Sequence, residues 1–230
     1  DQSKVISYYD DVAATFTNFA MSGIDKVHFG LEAAVSIPIY HTLALNGAVS
    51  WGQYTYDSNP YYLQTQDNSG DIVSDGYVYW KDFRVESTPQ TAVNVGLSWR
   101  SNNNIYLSAD FNYYNNMYLS MSPIYRTDAV ITGGMAPGDI EHLRRQEKFD
   151  SAYTLNASIG KNWYIHRKYT LGFSLDVKNI LNNQDIKTGG YEQTRLSKNT
   201  ETTVTTYQAF DSKYFYMFGT TYYLNLYFRF

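Results

Sequence analysis

Apolar and polar side chains alternate one by one over long stretches of this chain. At its end, Thr220, Tyr222, Leu224, Leu226, Phe228 and Phe230 form one set, and Thr221, Tyr223, Asn225, Tyr227 and Arg229 the other. A period of two places such sets on opposite faces of a β-strand. Residues 29–37, 42–51, 93–100, 105–113, 153–163 and 171–178 follow the same rule, with Leu31, Val35, Leu45, Val95, Phe111, Leu155 and Phe173 among the apolar positions. Residues 4–9 form a weaker eighth segment, in which Val5, Ser7 and Tyr9 do not choose a face. The pattern predicts an all-β chain of antiparallel, half-buried strands.

The connections sharpen this expectation. Short polar turns at residues 38–41, 101–104 and 164–169 alternate with long stretches at 58–89, 117–151 and 180–213. Compact domains rarely need one unstructured connection of that length. Short turns on one side and long loops on the other match an antiparallel transmembrane β-barrel with long extracellular loops. Parity then places Phe230 on the short-turn, periplasmic side. Apart from Lys161, which stands beside Trp163, the oily face lacks charge, as lipid contact requires. Trp51, Trp99, Tyr113, Tyr153 and Trp163 fall near strand ends, where amphipathic rings suit an interface. The opposite face carries Gly, Ser, Asn and Thr with isolated Glu32, Arg100, Asp110, Asp176, Lys178 and Arg229, a mixture suited to a wet lumen. The rival is a β-sandwich, in which the oily face meets a second sheet. A barrel would close alone if residues 4–9 supply an eighth strand; a fragment would pair both its edges with missing strands.

Composition removes several function classes. The 230 residues contain no Cys, so thiolate metal sites, thiol nucleophiles and redox pairs are excluded. A net charge of -4 gives no footing for nucleic acid. No apolar run is long enough for a transmembrane helix. Asp1 opens a polar stretch without signal-peptide features, which reads as a processed chain or a fragment. The chain has 24 Tyr, several of them in the first long stretch. There Tyr56, Tyr61, Tyr62, Tyr77, Tyr79 and Trp80 either stack on a ligand or pack the loops together. Tyr61, Tyr62, Tyr77, Tyr79 and Trp80 are the candidate ligand-facing residues. Asp67, Asp71 and Asp75 lack the spacing and closing Glu of a helix-loop-helix calcium site.

In the second stretch, Pro137 and Gly138 predict a turn, Asp139 a cap, and Ile140, Leu143 and Glu147 a short helix. Arg144, Arg145 and Lys148 form its solvated face, pairing with Glu141 and Glu147, or meet an anionic solute or lipopolysaccharide. His28, His41, His142 and His166 are scattered, and no catalytic constellation is predictable from their spacing. The reading is of a chain that is not an enzyme, with no cofactor and no metal. A barrel hydrolase built around His142 is the enzymatic alternative.

Residues 174–195 and 213–230 carry a recognisable pattern. Asn179, Ile180, Leu181 and Asn182 follow an alternating strand, and a second alternating strand ends at Phe230. With residues 16–33, 78–100 and 188–195, they resemble the carboxy-terminal part of the β-barrel of TonB-dependent outer-membrane receptors of the Bacteroidetes type. Ile180 and Leu181 depart from the motif's usual aromatic residue. The resemblance implies about the last eight strands of a barrel of about 22 strands, with plug and TonB-contacting segment absent. Residues 1–230 would then be one carboxy-terminal barrel segment of a receptor importing a glycan, a peptide or a siderophore-type ligand on energy from TonB. Partners implied are the rest of the barrel and plug, TonB, a surface lipoprotein lid, outer-membrane lipid and lipopolysaccharide, and the barrel-assembly machinery. That machinery would read Tyr222, Leu224, Leu226, Phe228 and Phe230 as its signal. Glu32, Asp110, Asp176, Lys178 and Arg229 would face the lumen or plug. The alternative is a self-contained eight-stranded outer-membrane barrel with a structural or adhesive role.

Overall fold

The computed structural model describes residues 2–10, 14–132, 140–141, 144–166, 168–199 and 206–230. The expected turn and cap at Pro137, Gly138 and Asp139, and the residues His142 and Leu143, lie outside these.

The chain opens with a hairpin of β1 (Gln2–Asp10) and β2 (Thr15–Ile24), then enters a second sheet through β3 (Lys26–Tyr40) and β4 (Leu43–Tyr56). Strands β5 (Tyr61–Gln66) and β6 (Ile72–Tyr77) return to the first sheet, giving the order β1-β2-β5-β6. Next come β7 (Thr91–Arg100) and β8 (Ile105–Asn115), a 3-10 turn at Ile124–Arg126 and the short helix α1 (Asp128–Thr132). Strands β9 (Ala152–Ile165) and β10 (Tyr169–Lys178) extend the large sheet. Two small ladders follow, β11 (Lys187–Tyr191) with β14 (Lys213–Tyr216) and β12 (Leu196–Asn199) with β13 (Thr206–Ala209). Strand β15 (Thr221–Arg229) completes a seven-stranded sheet ordered β15-β10-β9-β8-β7-β4-β3.

The tight turns have local causes. Asn104 and His166 adopt positive φ, 57° and 50°, which reverses the chain after β7 and β9. The Asn179–Asn182 motif is likewise a turn: both asparagines have positive φ, and Asn179 Nδ2 donates to the carbonyls of Asn183 and Phe218, 3.0 Å each.

All seven long strands pair antiparallel, and their register aligns the alternating sets into two continuous faces. Leu31, Trp51, Leu45, Leu97, Ala109, Ala157, Val177 and Tyr222 belong to one face. The sheet does not close. Strands β3 and β15 stand at opposite ends of the order, and among the described residues neither edge pairs with a further strand. The expected eighth strand, β1, pairs with β2 in the other sheet.

This corrects the transmembrane β-barrel, because alternation fixes which side chains share a face but not whether the outer strands meet. With the barrel go the resemblance to a TonB-dependent receptor and the import function, together with the self-contained barrel alternative. The outer-membrane location with Phe230 on the periplasmic side, and the outer-membrane lipid and lipopolysaccharide contacts, fall as well. The remaining partners (a missing barrel wall and plug, TonB, a lipoprotein lid and the barrel-assembly machinery) presuppose the same wall. Glu32, Asp110, Asp176, Lys178 and Arg229 do share one face by register, but it is the face of an open sheet. Tyr222, Leu224, Leu226 and Phe228 lie on edge strand β15, with Phe230 just beyond it, and all are exposed. No described helix is long and apolar enough to cross a membrane.

The packed interior lies elsewhere. Phe19, Met21 and Tyr62 from the four-stranded sheet meet Tyr56, Val78, Trp80, Met121, Ile124, Tyr125 and Val130 in one buried cluster. A second cluster joins Met117, Leu119, Phe149, Ala152 and Ile186. The described parts of the three long connections therefore contribute to folded cores of their own, whereas the apolar face of the large sheet is exposed: Leu31 is 67% and Leu226 70% accessible.

On the other face, polar side chains bridge neighbouring strands. Ser36 Oγ donates to Asn46 Oδ1 (2.7 Å), Asn46 Nδ2 to Ser98 Oγ (3.3 Å), Asn94 Nδ2 to Asn112 Oδ1 (2.8 Å) and Asn112 Nδ2 to Thr154 Oγ1 (3.3 Å). Tyrosine rings lie over strand glycines, Tyr106 above Gly160 and Tyr227 above Gly172.

Candidate functional site: an exposed tyrosine surface

The hairpin β5–β6 turns at Asp67–Gly70, where Gly70 takes φ of 70° and donates its amide to the Gln66 carbonyl at 2.9 Å. Its register sets Tyr61 opposite Tyr77 and Tyr62 opposite Gly76. Period two then sorts the aromatic residues. Tyr62 points inward, stacked on Phe19 with centroids 4.7 Å apart, and its hydroxyl meets Ser74 Oγ at 2.8 Å. Val78 and Trp80 are also inward, and Trp80 packs on Tyr56. Tyr61, Tyr77 and Tyr79 face out, 41%, 53% and 42% accessible.

Of the five predicted ligand-facing aromatics, three are thus exposed, with Tyr77 and Tyr79 joined through Asp128, and two, Tyr62 and Trp80, belong to the core. Tyr61 and Tyr77 meet edge to face, with centroids 5.7 Å apart and ring planes at 74°. The Tyr61 hydroxyl donates to Asp75 Oδ2 at 2.5 Å. The Tyr79 hydroxyl donates to Asp128 Oδ1, while Asp128 Oδ2 accepts the Tyr77 amide at 2.8 Å. Both hydroxyls are held above the ordinary tyrosine range, chiefly by these hydrogen bonds to carboxylates.

The segment carrying Asp128 is firmly anchored. Val78 bridges Thr127, and the Tyr79 amide donates to the Arg126 carbonyl at 2.8 Å. Arg126, 1% exposed at its side chain, pairs with Glu192 through Nη1 to Oε2 at 2.5 Å and Nη2 to Oε1 at 2.9 Å. This two-pronged ion pair ties residues 122–128 to the end of β11, and the Ser122 carbonyl accepts a further bond from Nη1 at 3.0 Å. The Tyr125 hydroxyl, which donates to the Arg195 carbonyl at 2.8 Å, is pushed up to about 12 by burial, with the Glu192 charge adding to the effect. A buried guanidinium needs such a partner, because leaving either charge alone costs several kcal/mol.

In the sequence, Asp75 belongs only to the Asp67, Asp71 and Asp75 series, whose spacing does not suit a calcium site, and Asp128 belongs to no pattern. No local signal marks them, since Asp128 reaches Tyr79 across 49 residues of sequence. Elsewhere, Arg145 pairs with Glu141 at 2.7 Å on the surface, whereas Glu147 takes Lys187 at 3.0 Å and the Tyr214 hydroxyl at 2.7 Å rather than a neighbouring Arg or Lys. Among the described residues, no group of three or more His, Cys, Asp or Glu is placed to hold a metal ion.

Chemically, the surface offers aromatic faces that attract polarised C–H groups, and carboxylates with lone pairs for hydroxyl or amine donors. No protein-family model matches the chain, and no curated protein or solved structure matches it either.

Proposed function

We propose that this chain is a binding module for carbohydrate, holding a neutral oligosaccharide on Tyr61, Tyr77 and Tyr79. A sugar ring presents C–H groups on its faces and hydroxyls around its rim, which is the chemistry an aromatic surface beside carboxylates complements. The observation that carries the reading is the exposure of these three side chains, with the Tyr61 and Tyr77 rings in edge-to-face contact and the Tyr61 and Tyr79 hydroxyls engaged by Asp75 and Asp128. A ring so held loses little freedom on binding, which favours affinity.

Calorimetry and saturation-transfer NMR against soluble glucan, mannan, galactan and xylan oligomers test this. Binding of at least one, weakened about tenfold (roughly 1.4 kcal/mol) by Tyr77→Ala, is the expected result. Failure of every oligomer to bind, or unchanged affinity in Tyr77→Ala, overturns it. The reading is of binding without turnover, so incubated oligomers should release no new reducing ends.

A further inference from the structure

We propose that Asp128 is the positioning residue of the tyrosine surface: one carboxylate, delivered from the start of α1, sets both the backbone of Tyr77 and the ring of Tyr79. The inference rests on the carbohydrate reading for its consequence, but its geometry stands independently. Tyr77 ends β6, an edge strand of the four-stranded sheet, where a backbone amide has no neighbouring strand to receive it. Asp128 Oδ2 receives it at 2.8 Å, while Oδ1 receives the Tyr79 hydroxyl.

The approach requires Gly76. A Cβ there would lie 2.9 Å from Asp128 Oδ2 and 3.4 Å from the Tyr62 ring, and its φ of 152° is one that side chains rarely adopt. Gly76 therefore serves two neighbours at once: it leaves room for the inward Tyr62 ring and for the Asp128 carboxylate. The charged groups acting on the Tyr79 hydroxyl are Asp128, which dominates, and Arg144, which opposes it. Because Asp128 follows directly on the segment pinned by Arg126 and Glu192, the Tyr77 backbone and the Tyr79 hydroxyl are tied to the buried core, whereas Tyr61 is held within the hairpin by Asp75.

The test uses the full chain with tyrosines labelled at the ring carbon bearing oxygen, titrated by NMR. In Asp128→Ala and Asp128→Asn, Tyr79 should ionise at lower pH than in wild type, while Tyr61, held by Asp75, should not move. Lower thermal stability alone would shift neither signal selectively. The oligosaccharide that binds wild type best in the panel above should bind Asp128→Ala about tenfold more weakly, and Asp128→Glu should recover part of that loss. Should Asp128→Ala fail to fold, Asp128→Asn carries both readouts. An unmoved Tyr79 titration overturns the proposal, as does a shifted titration with unchanged oligosaccharide affinity. If no oligosaccharide binds wild type, the carbohydrate reading fails, and the titration alone decides whether Asp128 sets the surface.

Discussion

Tyr56 and Tyr125 show how much a single hydroxyl owes to its surroundings. Both sit in the main core; burial raises both, followed by the Glu86 charge for Tyr56 and the Glu192 charge for Tyr125. In the unfolded chain each would ionise near pH 10. The folded state keeps these protons where the unfolded state has lost them, so their stabilising contribution is complete below about pH 10. It is lost as pH rises through the folded values, by about 1.4 kcal/mol per pH unit for each group. Thermal melts should therefore be level from pH 7 to about pH 9.5 and fall steeply above pH 10. Tyr125→Phe, which keeps the ring, should make the alkaline fall shallower. An identical slope in the variant would show that the hydroxyl is hydrated in the folded state. None of this was legible locally, since Glu86 and Glu192 lie 30 and 67 residues from the hydroxyls they act on.

At the scale of the element, the cross-strand fit of tyrosine and glycine carries the register. Tyr106 on β8 faces Gly160 on β9, and a Cβ at Gly160 would fall 2.0 Å from the tyrosine ring. The ring rests where any other residue would place a side chain, so Gly160→Ala must displace it. Overpacking of this kind costs about 1–3 kcal/mol. The expected result is a melting temperature lower by several degrees, with most of the loss abolished when Tyr106→Ala is combined with Gly160→Ala. Additive losses would mean the ring does not rest there. The strands were legible from alternation, and six of the seven strands of the large sheet coincide closely with clean alternating segments; β15 spans most of the closing one. The pairs were not, because which tyrosine covers which glycine depends on register, and register is a property of two strands.

For the whole molecule, the decisive fact is an uncovered apolar face. Seven strands about 4.8 Å apart and about 12 residues long on average present a face of roughly 1,300 Å². Single chains in water seldom expose more than a few hundred Å² of contiguous apolar surface. The isolated protein should accordingly bind the dye ANS while showing a cooperative thermal transition. Leu31→Lys, Leu97→Lys and Leu226→Lys together should halve the dye signal or better and shift melting by only about 2 °C, because these side chains make no buried core. Unchanged dye binding with a large fall in melting temperature would show that the face is packed in solution.

Alternation within a strand needs only neighbours two residues apart, so the amino-acid order alone settled the seven strands of the large sheet and which side chains of each strand share a face. It could not settle whether the sheet's edges meet, because a curved wall and an open sheet share the same period of two. Nor could it separate Tyr61, Tyr77 and Tyr79 from Tyr62 and Trp80 without knowing where the hairpin lay, or bring Asp128 to them from a distant helix. Closure, core and site are long-range contacts, and only the folded chain assigns those.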